Sequence, residues 1–175
     1  MNIPSTRNPE ISSTKNPLRN SQLNPEVSRS LNPKTSSTRN PFISSSLNPN
    51  TSSNLNPNAR SSLNYRLTGS LNPEISSSIN PKTSASINPN VSSNIQGLYI
   101  FDLDLKAVGF TVPVNDRVFL IFTPECEFSA VGIGAREDFW NIFDLDNRWT
   151  GFWIQARDDS FLRFNLDNDW IGFTT

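Results

Sequence analysis

The chain contains no histidine and a single cysteine, Cys126. Without imidazole there is no Ser-His-Asp or Cys-His arrangement, no His base working near neutral pH and no His-containing zinc site. One thiol makes neither an intrachain disulfide nor a cysteine metal cage, which argues against a disulfide-stapled secreted scaffold. Long apolar runs are also missing. No window approaches the roughly 18 apolar residues that span a bilayer as a helix, and the start, MNIPSTRNPE, lacks the apolar core of a signal peptide. These rules predict a soluble protein.

Aromatic residues are scarce in one part of the chain and dense in the other. Residues 1–95 hold no tryptophan and only Phe42, but 11 of the 13 prolines. Residues 96–175 hold Trp140, Trp149, Trp153 and Trp170, eleven phenylalanines and six of the seven glycines, the composition of a β-rich globular unit. The break lies at Ile95-Gln96-Gly97. Charge divides there too, with nine Lys/Arg against three Glu before it and six Lys/Arg against thirteen Asp/Glu after it. A lead (1–7), a repeat (8–95) and a compact antiparallel β domain (96–175) follow.

In the repeat, an Asn stands at every eighth position from Asn8 to Asn88, and Pro follows each one except Asn64, which precedes Tyr65. The fourth octad position alternates between Ile11, Val27, Ile43, Ala59, Ile75, Val91 and Arg19, Thr35, Thr51, Leu67, Thr83. The third favours Glu10, Glu26 and Glu74 in odd octads and Lys34, Arg66 and Lys82 in even ones. A unit of sixteen residues is thereby favoured over one of twenty-four. Period-two alternation inside the octad predicts short strands with one buried face. Asn-Pro pairs such as Asn24-Pro25, Asn48-Pro49, Asn72-Pro73 and Asn80-Pro81 form the corners, since Pro fixes φ and lacks a donor. The predicted core is Ile11, Val27, Leu31, Ile43, Leu47, Leu55, Leu63, Leu71, Ile75, Ile79, Ile87, Val91 and Ile95. The expected fold class is all-β, a β-solenoid-like or intertwined fibre shaft followed by a small antiparallel sandwich or barrel.

Each sixteen-residue coil offers about three sizeable aliphatics, on the order of 5–9 kcal/mol. Fixing sixteen backbones costs roughly 16–32 kcal/mol, and ladder hydrogen bonds return only about 1 kcal/mol each. The repeat therefore requires company. Copies of the same chain are the expected partner, in a homo-oligomer or filament that includes a head-to-tail contact between acidic head and basic repeat.

The C-terminal part alternates as eight strands separated by polar turns. Within it YIFDLDLKAVGF, NIFDLDNRWTGF and LRFNLDNDWIGF read as three related hairpins. Asp144 and Asp146, with Asn165, Asp167 and Asp169, place oxygens at every second residue, a spacing compatible with calcium, although turn chemistry explains the same pattern. No other cofactor is expected. Trp149 and Trp170 follow polar turns and are the candidate exposed pair for stacking on a surface polysaccharide, while Trp140 and Trp153 are expected in the core. The cations of the repeat stand singly, so nucleic acid is not an expected partner. The sequence points to a non-enzymatic structural protein that builds a fibre, filament or appendage, in a virion or an extracellular filament. The alternatives are a multivalent scaffold whose octads dock on a partner lattice and a protein that binds carbohydrate or ice.

Overall fold

The structure is a computed structural model that describes residues 1–175. Eight antiparallel strands close into a barrel, each paired with its neighbours in sequence: β1 (Tyr99–Phe101), β2 (Ala107–Asn115), β3 (Val118–Phe122), β4 (Phe128–Arg136), β5 (Phe139–Asp144), β6 (Trp149–Arg157), β7 (Ser160–Asn165) and β8 (Trp170–Thr174), with β8 returning to β1. Four turns (β1–β2, β3–β4, β5–β6, β7–β8) lie at one end and three at the other.

The barrel is four hairpins of one design. Phe101, Phe122, Phe143 and Phe164 stand 21 positions apart, and a bulge sits at each of them. Leu105, Cys126, Asn147 and Asn168 share that spacing and all adopt positive φ, the left-handed residue that ends a three-residue hairpin loop. The sequence shows three of these hairpins. The fourth, around Thr123-Pro124-Glu125-Cys126-Glu127, keeps the backbone with different turn residues; there the Thr123 hydroxyl accepts the Glu127 N–H, as the Asp144 carboxylate accepts that of Arg148. At Gly151 a Cβ would collide with the Phe164 carbonyl, so the close approach at this bulge requires glycine.

The two barrel faces differ. Ile100, Phe119, Ile121, Ile142, Trp153 and Phe161 form the inner cluster. Phe119 on β3 stands 4.9 Å from Trp153 on β6 and 4.7 Å from Trp140 on β5. These strands are not neighbours, so their rings meet across the lumen and fill it. The outer face carries stacked phenylalanine pairs, Phe139–Phe152, Phe152–Phe164, Phe110–Phe122 and Phe101–Phe173, at 5.3–5.6 Å. That greasy exterior is covered by the repeat.

Residues 1–95 hold no strand and no shaft; they form a belt of turns around the barrel. In each octad the Asn carbonyl accepts the N–H groups three and four positions on, and its side chain accepts the one two positions on, as Asn8 does from Ile11, Ser12 and Glu10. The second half turns again, often as a single 3₁₀ turn such as Ser13–Lys15, Arg29–Leu31, Ser53–Leu55 or Ser77–Ile79. Turns closed by the Asn side chain and by the main-chain carbonyls of Asn and Ser consume the donors and acceptors that a ladder would need, and Pro removes one donor in every octad but the one at Asn64, so the strands expected from the alternation do not form. Neighbouring octads are joined by side chains, with the amides of Asn16, Asn40, Asn56, Asn80 and Asn88 donating to the carbonyl of the Pro seven residues earlier. The Asn-Pro pairs open turns rather than joining strands, with Pro25, Pro49, Pro73 and Pro81 buried.

The residues expected in the repeat core divide between the two sides of the belt. Leu31, Leu47, Leu55, Leu63, Leu71, Ile79 and Ile95 are buried, and Ile87 is half-buried against the same cluster. All of these except Leu55 belong to one core with outer barrel residues such as Phe110, Leu120 and Phe152. Ile11, Val27, Ile43, Ile75 and Val91 are instead 62–72% exposed. The Leu–Asn–Pro edge of each octad faces the barrel, and the fourth position, on the far side of the turn, faces away.

Candidate functional site

The belt follows the barrel in reverse strand order. The turns Arg29–Leu31, Ser53–Leu55 and Ser77–Ile79 pack on β6, β4 and β2. These turns are 24 residues apart and these strands 21, so three octads accompany each hairpin. The same rule governs the ion pairs. Lys15 pairs with Asp159 and Arg39 with Asp138 (2.5 Å); Lys34 pairs with Asp169 (2.5 Å) and Lys82 with Glu127 (2.6 Å), shifted by two belt units and two hairpins. Arg66 reaches Asp146 at 2.8 Å. Burial follows the period too. Leu23, Leu47, Leu71 and Ile95 lie 24 apart and are at most 4% exposed, and Asn16, Asn40 and Asn64 are the buried asparagines of the belt. The docking period is therefore twenty-four, not the sixteen expected from the fourth-position alternation, because the barrel beneath has four hairpins and its own spacing selects every third octad.

Met1–Arg7 continues this register as an incomplete octad and closes the ring. The Pro89 carbonyl accepts the Asn2 N–H at 2.6 Å, and the Asn2 amide donates to Asn90. Arg7 stands where other units place Leu31, Leu55 and Ile79. Its guanidinium donates to the carbonyls of Ile95 and Gly97 and to the main-chain oxygen of Thr175, and burial lowers its pKa.

Where belt meets the four-turn end, two clefts repeat each other. One, of about 210 Å³, is lined by Glu26, Asn32, Lys34, Phe164, Asp169 and Trp170; the other, of about 100 Å³, by Glu74, Asn80, Lys82, Phe122, Glu127 and Phe128. Each belt residue of the second lies 48 positions after its counterpart and each barrel residue 42 before it. Pro25 and Pro73 correspond in the same way, and so do Asn168 and Cys126. Two hairpins out of four separate the clefts, which places them on opposite sides of the ring. In each, one carboxylate is held by the lysine, while Glu26 and Glu74 have no side-chain hydrogen bond or ion pair. The Lys34 ammonium and the Asn165 amide hold Asp169 below the usual carboxylate range.

The expected cation ligands sit in turns. Asp144 accepts the N–H groups of Asp146 and Arg148 and the Arg148 side chain; burial opposes but does not outweigh these bonds, and its pKa falls. Asn165 accepts from Asp167 and Asp169, and Asp146 and Asp169 carry belt cations. No group of three or more His, Cys, Asp or Glu side chains is arranged to hold a metal ion. Trp149 and Trp170 are half-buried at the belt–barrel seam, Trp149 against Phe42 at 5.4 Å and Trp170 on the rim of the larger cleft. They lie on successive 21-residue units and do not form one platform. The clefts are not visible in the sequence as sites, because their residues come from two segments whose periods differ; their traces there are the alternating charges Glu26, Glu74, Lys34 and Lys82 and, separately, Asp169 and Trp170.

The fold and its seam define a small up-and-down β-barrel ringed by an octapeptide belt. Comparisons with protein-family models, with curated proteins and with solved structures found no match. No helix is long and apolar enough to cross a membrane.

Proposed function

We propose that the protein is a non-enzymatic structural protein that assembles with copies of itself through the outer face of its belt, in a virion appendage or an extracellular filament. One observation carries this reading. The inner face of the belt repeats every 24 residues, in step with the barrel, whereas the exposed aliphatics Ile11, Val27, Ile43, Ile75 and Val91 follow odd octads at multiples of sixteen, with Ala59 at the one remaining place and Leu67 the one even-octad aliphatic equally exposed. Nothing beneath the belt uses that second period. A regular apolar row with no internal partner, set among serine hydroxyls, fits an interface with a like surface. The multivalent-scaffold alternative draws on the same row, since the Leu–Asn–Pro edges are already turned to the barrel.

Sedimentation across a concentration series and electron micrographs test the proposal. Concentration-dependent oligomers or filaments are expected, and Ile43→Lys with Ile75→Lys should abolish them without changing the circular dichroism spectrum. A monomer at the highest soluble concentration, with no particles on the grid, would overturn it.

A further inference from the structure

We propose that the two clefts at the four-turn end are equivalent subsites for neutral saccharide rings, which makes the ring a bivalent carbohydrate binder. The inference is independent of self-assembly. Its basis is the reappearance of a complete set of residues at two places: a free carboxylate (Glu26, Glu74), a lysine held by an acid (Lys34–Asp169, Lys82–Glu127), a buried phenylalanine floor (Phe164, Phe122) and an aromatic rim (Trp170, Phe128). The other two hairpins lack it. At the place of Glu26 and Lys34 the intervening unit has Asn50 and Asn58, and at the place of Asp169 it has Arg148. The set returns after 48 residues, where the sixteen-residue alternation of the belt and its 24-residue docking period coincide, so that two of the four hairpins carry it.

The rim selects the class of ligand. Two carboxylates only accept hydrogen bonds and one ammonium only donates them. With each lysine paired to Asp169 or Glu127, the free carboxylate of Glu26 or Glu74 disfavours an anion and calls for a hydrogen-bond donor. A hydroxyl both donates and accepts, so a neutral polyol satisfies the whole rim without importing charge. The apolar floor and aromatic edge suit the carbon face of a pyranose, in keeping with sites that combine apolar walls and a few placed polar groups. Both clefts are open and shallow, about 210 and 100 Å³, so a ring would rest its carbon face on the rim with its other face in solvent. With the two openings on opposite sides of one body, a branched or long glycan can be held by separate molecules and cross-linked.

Native gel electrophoresis of the full chain through gels containing dextran, mannan, xyloglucan or galactomannan tests this directly. At least one polymer should retard the protein and, free in solution, be precipitated by it. Glu26→Gln or Glu74→Gln alone should leave retardation but remove precipitation. The double variant should bind about tenfold or more weakly, because each change removes a charge-assisted acceptor, with its unfolding midpoint unchanged. The Ile43→Lys, Ile75→Lys variant should bind normally, which separates this inference from assembly. No retardation by any of the four polymers, unaltered retardation of the double variant, or tighter binding of hexalysine than of any polymer would each overturn it.

Discussion

The guanidinium of Arg7 lies over the ring of Tyr99, 4.8 Å from its centroid, while the Tyr99 hydroxyl donates to the Asn2 carbonyl. This pair ties the start of the belt to β1 and, through Arg7, to Gly97 and Thr175. Arg7→Ala leaves three buried main-chain oxygens without that donor and should cost about 2–4 kcal/mol in urea unfolding. A cost near zero would mean that ring closure contributes nothing.

Burial raises the Tyr99 pKa above its ordinary 10.0, with Arg7 opposing. A phenol whose folded pKa is raised stabilises the native state below the unfolded value and loses that contribution as pH rises through the folded one. Stability should therefore fall above about pH 10 more steeply in the native sequence than in Tyr99→Phe. Phenolate absorbance and the unfolding midpoint, followed together, check the sign.

At the acidic side, Lys15 holds Asp159 low although burial pulls the other way, and Lys34 holds Asp169 low. Such carboxylates contribute stability above their unfolded pKa of 3.8 that is lost as pH falls through the depressed folded values. Belt amides near these turns should lose hydrogen-exchange protection below pH 3.8 before the barrel does, and Lys15→Met with Lys34→Met should flatten the dependence. The Lys34–Asp169 pair is exposed and the Lys15–Asp159 pair partly so, which keeps the effect small and sensitive to salt.

Belt orientation is tested by two aliphatics four residues apart. Leu47 is fully buried and Ile43 is 67% exposed. Leu47→Ala should cost about 2–5 kcal/mol, and Ile43→Ala should stay within about 0.5 kcal/mol. Equal costs would contradict the outward placement of the fourth position.

Register is tested by deletion. Removal of residues 48–55 moves every downstream octad to the wrong hairpin position, so that Arg66 and Lys82 leave Asp146 and Glu127. Removal of residues 48–71 keeps each remaining octad in its class but shortens the ring. The eight-residue deletion should have the lower unfolding midpoint despite losing less chain. The reverse order would argue for a period other than 24.

The sequence by itself determined the all-β class, the strands of the barrel and the opposed charges of belt and barrel, because composition, alternation and turn residues act locally. It also gives residues 1–95 few large apolar side chains per turn. Only the tertiary structure decided what relieves that shortage. The partner is the phenylalanine-rich outside of the barrel in the same chain, and the opposed charges meet there as Lys15–Asp159, Lys34–Asp169 and Lys82–Glu127. Which aliphatics face inward was likewise hidden, since a turn and a strand of eight residues give similar alternation but place Ile11 and Ile43 on different sides. The reason is geometric: a docking period of 24 arises from matching the belt to four 21-residue hairpins, and neither segment carries that number alone.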